Sequence, residues 1–219
     1  MKIGIIGAGN IGGTLATRLT ALGHEVKIAN SHGPQTLRDV AARTGAKPAT
    51  PADAVNGAEL VVVTIPLGRV PELSSDLFAR RAPAAPIVDT CNYYPSRDGR
   101  IEEIEDGMIE SRWVERQIGH PVIKAFNNIY FKHLLEGGRP TGSANRIALP
   151  VAGDDPQAKK KVLQIIDRLG FDTVDAGGLD ESWRQQPGTP CYTSDFDTKQ
   201  LREALKQTER KRPTKQQRT

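Results

Sequence analysis

The chain is poor in the residues that build disulfide and metal frameworks. Its 219 residues include two cysteines, Cys91 and Cys191, far apart and outside any CxxC or CxxH pattern, which argues against a disulfide scaffold or a structural zinc site. The four histidines, His24, His32, His120 and His133, lack ligand spacing, so no metal is expected. No apolar run approaches the roughly 20 residues that span a bilayer. The opening Met-Lys-Ile-Gly-Ile-Ile breaks at Gly7 and lacks the basic region, long apolar stretch and cleavage site of a signal peptide. A cytoplasmic protein with no membrane partner is expected. There is no internal repeat of solenoid length.

Charge of one sign is scarce in the body and concentrated at the end. The formal charge is +4, yet residues 206–219 hold Lys206, Arg210, Lys211, Arg212, Lys215 and Arg218 against Glu209, a net +5. The remainder is close to neutral. The tail reads as a solvated, flexible terminus, and no helix-turn-helix, RNP or aromatic-interleaved basic pattern supports a nucleic-acid partner.

What is present is a regular alternation. Apolar runs at 2–7, 25–30, 59–66, 86–91, 121–126, 147–153 and 171–175 read as strands. Leu15, Leu19 and Leu22 repeat at helical spacing before Gly23. Pro34 opens a second helix, 52–57 and 68–80 read as helical, and Pro156–Leu169 is amphipathic with Gly170 as its stop. Residues 95–118 and 130–146 are the least regular. Continuously apolar strands between helices call for an α/β fold with a mostly parallel, doubly wound sheet and a short C-terminal helical extension. The expected division is 1–178 for this domain, 179–205 for the extension and 206–219 for the basic tail.

The first strand runs into Gly7-Ala8-Gly9-Asn10-Ile11-Gly12. Gly7 permits the turn, Gly9 lets the backbone approach a pyrophosphate, and Gly12 lets the helix lie close to the strand. Asn10, Ile11 and Gly12 begin a helix whose free N–H groups favour an anion. The strand–loop–helix setting makes this a Rossmann-type dinucleotide site. A carboxylate would ordinarily end the second strand of an NAD site, to hold the ribose 2′-hydroxyl. Asn30-Ser31-His32-Gly33 stands there instead. Asn30, Ser31 and the backbone around Gly33 can donate to a 2′-phosphate, His32 adds charge when protonated, and Arg38 is one turn further on. NADP(H) is therefore expected over NAD(H), while a purely helix-capping role for Ser31 stays open.

Several segments together resemble the deazaflavin-dependent NADP oxidoreductases (coenzyme F420:NADP oxidoreductase) and their uncharacterised bacterial relatives; the cytosolic domain of eukaryotic metalloreductases is similar too. The most distinctive are Thr64-Ile65-Pro66, Lys124-Ala125-Phe126-Asn127 and Val174-Asp175-Ala176-Gly177. The resemblance implies that Thr64, Ile65, Pro66 and Leu67 lie along the cofactor. It places Asn127, Asn128 and Ile129 at the reacting end, with Ala125 among the cofactor contacts and Cys91 and Asn92 facing the crevice. A flavin or deazaflavin (F420) is the co-substrate it implies, and a homodimer the assembly. Residues 182–192, Ser-Trp-Arg-Gln-Gln-Pro-Gly-Thr-Pro-Cys-Tyr, look like the uncharacterised relatives rather than the apolar final helix of the deazaflavin enzymes. This segment, stiffened by Pro187 and Pro190, is expected to help shape the substrate pocket or a dimer contact; the alternative is that Trp183 simply packs on the core.

The chain lacks a Tyr-x-x-x-Lys pair, and Lys124 and Asn127 are three apart rather than four. Lys124 is either a structural lysine at a strand end or a contact to phosphate or substrate. Asn127, Asn128 and Tyr94 are the candidates for the reacting end; Tyr93 and Tyr94, following a strand, either donate a proton to a carbonyl or imine or merely pack on the loop. Two readings follow: an NADPH-dependent oxidoreductase with a flavin-like, deazaflavin or small electrophilic acceptor, or a non-catalytic NADP(H) sensor or partner module.

Overall fold

A computed structural model describes residues 1–209. The chain begins with β1 (Lys2–Ile6), α1 (Asn10–Ala21), β2 (Glu25–Ala29), a 3-10 turn at Pro34–Leu37, α2 (Arg38–Thr44) and β3 (Lys47–Pro48). It continues through α3 (Pro51–Val55), β4 (Leu60–Val63), a 3-10 segment at Leu67–Glu72, α4 (Ser75–Ala79) and β5 (Ile87–Asp89). The strands lie in the order β3-β2-β1-β4-β5 and are completed by β6 (Ile123–Lys124) at the far edge; every pairing in this sheet is parallel. The order reverses between β1 and β4, so a crevice opens above their C-terminal ends.

The side-chain period of two sorts the core onto both faces. Ile3 and Ile5 of β1, Leu60 and Val62 of β4 and Val88 of β5 join Leu15 and Leu19 of α1 on one face. Ile6, Val61, Val63 and Ile87 point the other way, onto Val55, Phe78, Trp113, Val114 and Ile118. Strands buried on both faces explain why their sequences are apolar throughout.

Between β5 and β6 the expected irregular stretch 95–118 is in fact largely helical: α5 (Pro95–Asp98), α6 (Glu102–Glu105) and α7 (Glu110–Ile118). Helix α7 buries Trp113, Val114 and Ile118 and stops at Gly119, which adopts φ +73°. Those three are its only apolar residues, too few to stand out in a periodicity reading even though they share one face. Conversely, the single helix expected over 68–80 is two pieces. Pro71 supplies no N–H, and the backbone turns extended at Leu73 before α4 begins. The helix expected from Pro34 likewise starts as a 3-10 turn.

After β6 come α8 (Phe131–Glu136), β7 (Ala148–Val151), α9 (Pro156–Arg168) and β8 (Asp172–Asp175). Asp155 caps α9 by accepting from Gln157 N at 2.8 Å and Ala158 N at 3.1 Å, and Pro156 occupies its first position. β7 and β8 pair in parallel and meet the main sheet through one antiparallel bridge, Lys124 to Ala152. Arg18 of α1 donates to the Leu135 and Leu169 carbonyls, tying α1 to the ends of α8 and α9. The extension is a 3-10 segment at Leu179–Gln185 followed by α10 (Thr198–Gln207), which has a reciprocal Asp197–Gln200 capping box. Leu201, Ala204 and Leu205 of α10 pack on Ala148 and Val174. Lys206 is in the last turn of this helix; the other basic residues assigned to the tail, from Arg210 on, lie outside the described residues. No helix among the described residues is long and apolar enough to cross a membrane.

Candidate functional site

The glycine loop sits at the switch between β1 and α1. Gly7 has φ +116° and its N–H donates to Ala29 O at 2.8 Å, which locks the turn against β2. A Cβ on Gly7 would overlap the Thr64 carbonyl oxygen, and one on Gly12 would overlap that of Gly7. Both glycines are therefore required by packing. Gly9 differs: a Cβ there would meet nothing within 4 Å. Gly9 and Asn10 are exposed, Ile11 is half-buried, and α1 has no acidic residue in its first turn and no side-chain cap. Open space before Gly9 and uncapped N–H groups behind it fit a pyrophosphate.

The loop after β2 is organised by its own polar groups. Asn30 Nδ2 donates to Thr36 Oγ1 at 2.9 Å, His32 N donates to Asn30 Oδ1 at 3.0 Å, and Thr36 Oγ1 donates to Gly33 O at 2.7 Å. Gly33 takes φ +87°. The Asn30 side chain is thus committed to shaping the loop, and the groups it leaves outward are exposed Ser31 and His32, with exposed Arg38 on α2. The end of the strand carries no carboxylate.

Across the switch point, Thr64 and Ile65 are half-buried and Pro66 is exposed along the crevice, whereas Leu67 is fully buried among Val70 and Phe78 and presents no surface to a cofactor. Ala125 is corrected in the same way, at 0% exposure in the core. Cys91 is 2% exposed and its thiol lies 3.8 Å from Val63 O; burial, and then Asp89, push its pKa well up. It is a packing residue facing the sheet.

Beneath the crevice floor is a buried ion pair that the sequence reading left undecided. Lys124 Nζ is 3.1 Å from Asp89 Oδ2 and also donates to Cys91 O, with both side chains wholly buried. Ser111 Oγ donates to Asp89 Oδ2 at 2.9 Å and Cys91 N to Asp89 Oδ1 at 2.8 Å. Lys124 is therefore structural. Beside it, Glu110 accepts from Tyr93 N at 3.1 Å; burial raises its carboxyl to about 7, against the opposing pull of Lys124. Tyr93 is also structural: its hydroxyl donates to Glu105 Oε1 at 2.9 Å and accepts from Ile101 N at 3.0 Å.

At the reacting end, Asn127 and Asn128 are brought together but sealed by the extension. Asn127 Nδ2 donates to Gln185 O at 2.6 Å and to Asn92 Oδ1 at 3.0 Å, and Gln185 Nε2 returns a bond to Asn127 Oδ1 at 2.8 Å. Thr193 N donates to Asn128 O at 2.8 Å. Asn127 is 4% exposed and Asn128 1%. Both support the loop and present almost no surface to a substrate. Phe126, which leads into them, is held at φ +61°, a left-handed conformation that costs a phenylalanine energy and that the surrounding packing enforces. Half-exposed groups line the margin: Asn92, Tyr94 and, from the extension, Tyr192. Asn92 Nδ2 donates to Asn127 O at 2.9 Å, and the hydroxyls of Tyr94 and Tyr192 are hydrogen-bonded to each other. Sequence reasoning reached Gln185 and Tyr192 only as members of the segment 182–192, without a role for either, and missed Asp89 and Glu110. A carboxylate inside the apolar run Pro-Ile-Val-Asp was the one signal that could have found Asp89.

Trp183 is half-buried, stacked under Arg184 at 4.4 Å, and borders a cleft of about 470 Å³ with Ile104, Ile109 and Pro187, away from the glycine loop.

These features can be set against known proteins. A model of the family described as NADP oxidoreductase, coenzyme F420-dependent, matches residues 2–93. Protein YjhV of Escherichia coli (strain K12) is 47% identical over 58 residues, 26% of this chain and 42% of that protein, so the match spans less than half the length of this curated relative. Among solved structures, the hypothetical protein SMa0349 of Sinorhizobium meliloti is 29% identical with a TM-score of 0.74, covering 90% of this chain and 95% of that one. A protein of Arthrobacter sp. FB24, provisionally described as an F420-dependent NADP reductase, is 24% identical with a TM-score of 0.68, covering 84% and 87% of the two chains. The 3-hydroxyisobutyrate dehydrogenase of Mycobacterium tuberculosis is 20% identical with a TM-score of 0.57, over 80% of this chain and 54% of that one. The last two likenesses show a shared fold.

Proposed function

We propose, for a chain that belongs over residues 2–93 to the coenzyme F420-dependent NADP oxidoreductase family, that it binds NADP(H) and moves a hydride between the nicotinamide and a second molecule. That molecule is a flavin or deazaflavin such as F420, or a small electrophile. The observation that carries the reading is the glycine loop: Gly7 and Gly12 are closed by backbone, while the space before Gly9 is open at the uncapped start of α1. The 2′-phosphate reading is supported by exposed Ser31, His32 and Arg38 where a carboxylate would exclude it. When bound, the dinucleotide supplies or accepts the hydride. The chain's residues hold its pyrophosphate, order the crevice through Asn92 and Asn127, and exclude water where the extension closes over Asn127 and Asn128.

Titration of NADPH and NADH against wild type and Ser31→Asp tests this. NADPH binding that exceeds NADH binding and weakens at least tenfold in the variant is expected; equal or tighter NADH binding by wild type refutes the 2′-phosphate site. A second reading, a non-catalytic NADP(H) sensor or partner module, is favoured by the burial of Asn127 and Asn128. NADPH consumption with any of a panel of flavins, F420 and small electrophiles would eliminate it.

A further inference from the structure

We infer that Tyr94 is the proton donor of the reaction, positioned by Tyr192 of the extension, and that the hydride acceptor is a small carbonyl or imine compound. This rests on the NADP(H)-dependent reduction proposed above. Tyr94 follows β5 and caps α5, so its backbone is fixed at the C-terminal edge of the sheet, on the side of the switch point opposite the β2 loop. Its hydroxyl is hydrogen-bonded to that of Tyr192, 98 residues away in sequence. Asn92 Nδ2, 2.9 Å from Asn127 O, also reaches toward the Tyr192 hydroxyl at 3.5 Å. The Arg97 guanidinium lies 4.9 Å from the centre of the Tyr94 ring, held there by bonds to Asn92 O at 2.7 Å and to Asp98 at 2.8 Å. Two phenols and an amide, all half-exposed, and an exposed guanidinium thus converge at the margin of the crevice. Tyr93, one residue earlier, is turned away and consumed by Glu105 and Ile101.

The arrangement suits one proton transfer. The hydride from the reduced dinucleotide forms a C–H bond at the carbonyl or imine carbon, and the π pair moves onto the attached oxygen or nitrogen. The Tyr94 O–H bond breaks and its proton goes to that atom. The negative charge left on the Tyr94 oxygen faces the Tyr192 hydroxyl, which donates to it, and the Arg97 cation; solvent then returns the proton. Burial, and next the bond to Tyr94, hold the Tyr192 pKa well above the usual phenol range, so Tyr192 stays a donor throughout. In a carbonyl or imine the proton lands on the atom bonded to the hydride-receiving carbon, so its donor must stand inside the site. A flat tricyclic acceptor takes its proton at a distant ring nitrogen and needs an apolar shelf to lie on. The half-exposed margin here is polar, and the corner behind it is filled by Gln185, Asn127 and Asn128.

The test uses the full chain as wild type, Tyr94→Phe and Tyr192→Phe. NADPH affinity is measured by titration and kcat as a function of pH. Turnover is followed with NADPH and propanal, glyoxylate, cyclohexanone or 1-pyrroline, and separately with FMN and F420. Wild type is expected to reduce at least one carbonyl or imine probe with a solvent deuterium isotope effect. Tyr94→Phe is expected to lose about 100-fold or more in kcat with the NADPH Kd within twofold. Tyr192→Phe is expected to lower kcat and to move the alkaline limb of its pH profile, with the NADPH Kd within twofold. The inference is overturned if wild type binds NADPH but reduces only FMN or F420, or none of the probes. It is equally overturned if Tyr94→Phe turns over within threefold of wild type, or if the kcat–pH profile of Tyr192→Phe is unchanged. Failure of wild type to bind NADPH overturns this inference and the NADP(H) reading together.

Discussion

Replacing Lys124 by methionine removes one charge from a wholly buried pair. Asp89 would keep two of its donors, Ser111 Oγ at 2.9 Å and Cys91 N at 2.8 Å, but lose the cation at 3.1 Å, and the Cys91 carbonyl would lose its partner. Breaking one side of such a buried pair costs about 3–5 kcal/mol. For a chain of this length that lowers Tm by about 6–20 °C. The double variant Asp89→Asn, Lys124→Met removes both charges; the asparagine still accepts from Cys91 N. It should be less destabilised than either single variant, because the dominant penalty is the orphaned charge and not the lost attraction. Urea unfolding of all four proteins closes the cycle. A cost below about 1 kcal/mol for Lys124→Met, or a double variant as unstable as the sum of the singles, would refute the assignment of Lys124 as half of a buried pair.

Glu110 gives the fold a pH dependence whose sign follows from its carboxyl being raised to about 7 from 4.5. The folded state holds that proton more tightly than the unfolded chain, so stability is full below about pH 4.5, falls as pH rises toward 7, and is lower by about 3 kcal/mol above it. Glu110→Gln, which can still accept from Tyr93 N, should flatten the urea-midpoint profile over that window; an equally sloped profile in the variant would put the titration elsewhere. The glycine loop separates packing from binding. Gly9→Ala has room for its methyl and should fold within about 0.5 kcal/mol of wild type, yet weaken NADPH at least tenfold because the methyl stands where the pyrophosphate must approach. Gly12→Ala overlaps the Gly7 carbonyl and should lose about 2 kcal/mol or more of stability. If both variants behave alike in calorimetry and in NADPH titration, the division of roles between the glycines is wrong.

Most of the sheet was legible because burial on both faces leaves an uninterrupted signature: Ile3–Ile6, Leu60–Val63 and Ala148–Val151 are apolar whichever way each residue points. The glycine loop was legible because steric exclusion acts on single residues, and only glycine satisfies the backbone contacts at positions 7 and 12. Helix α7 escaped because only Trp113, Val114 and Ile118 mark its apolar face, too few to stand out; Arg112, Glu115 and Arg116 lie on the other face, where Arg112 serves Asp154 and Asp180. At the site, residues near a turn in sequence were found and those delivered from afar were not. Asn92 and Tyr94 follow a strand visibly. No local pattern announces that Gln185 and Tyr192 fold back across 58 and 98 residues to meet Asn127 and Tyr94. Resemblance named Leu67, Ala125 and Asn127 as contacts, but their burial leaves them little or no surface to offer a ligand.

The tie between the extension and the crevice also sets an order of assembly. The glycine loop, β2 and β4 are made within the first third of the chain, so the elements that would hold the dinucleotide can associate early in synthesis. The reacting end cannot close until Gln185 and Tyr192 have been made, well over a hundred residues after Gly9. A growing chain passes through a stage in which its cofactor half is built and its chemical half is open to water. The contacts of Gln185 and Tyr192 with Asn127 and Tyr94 therefore form after the glycine loop is made, and any chemistry that depends on them waits for the extension.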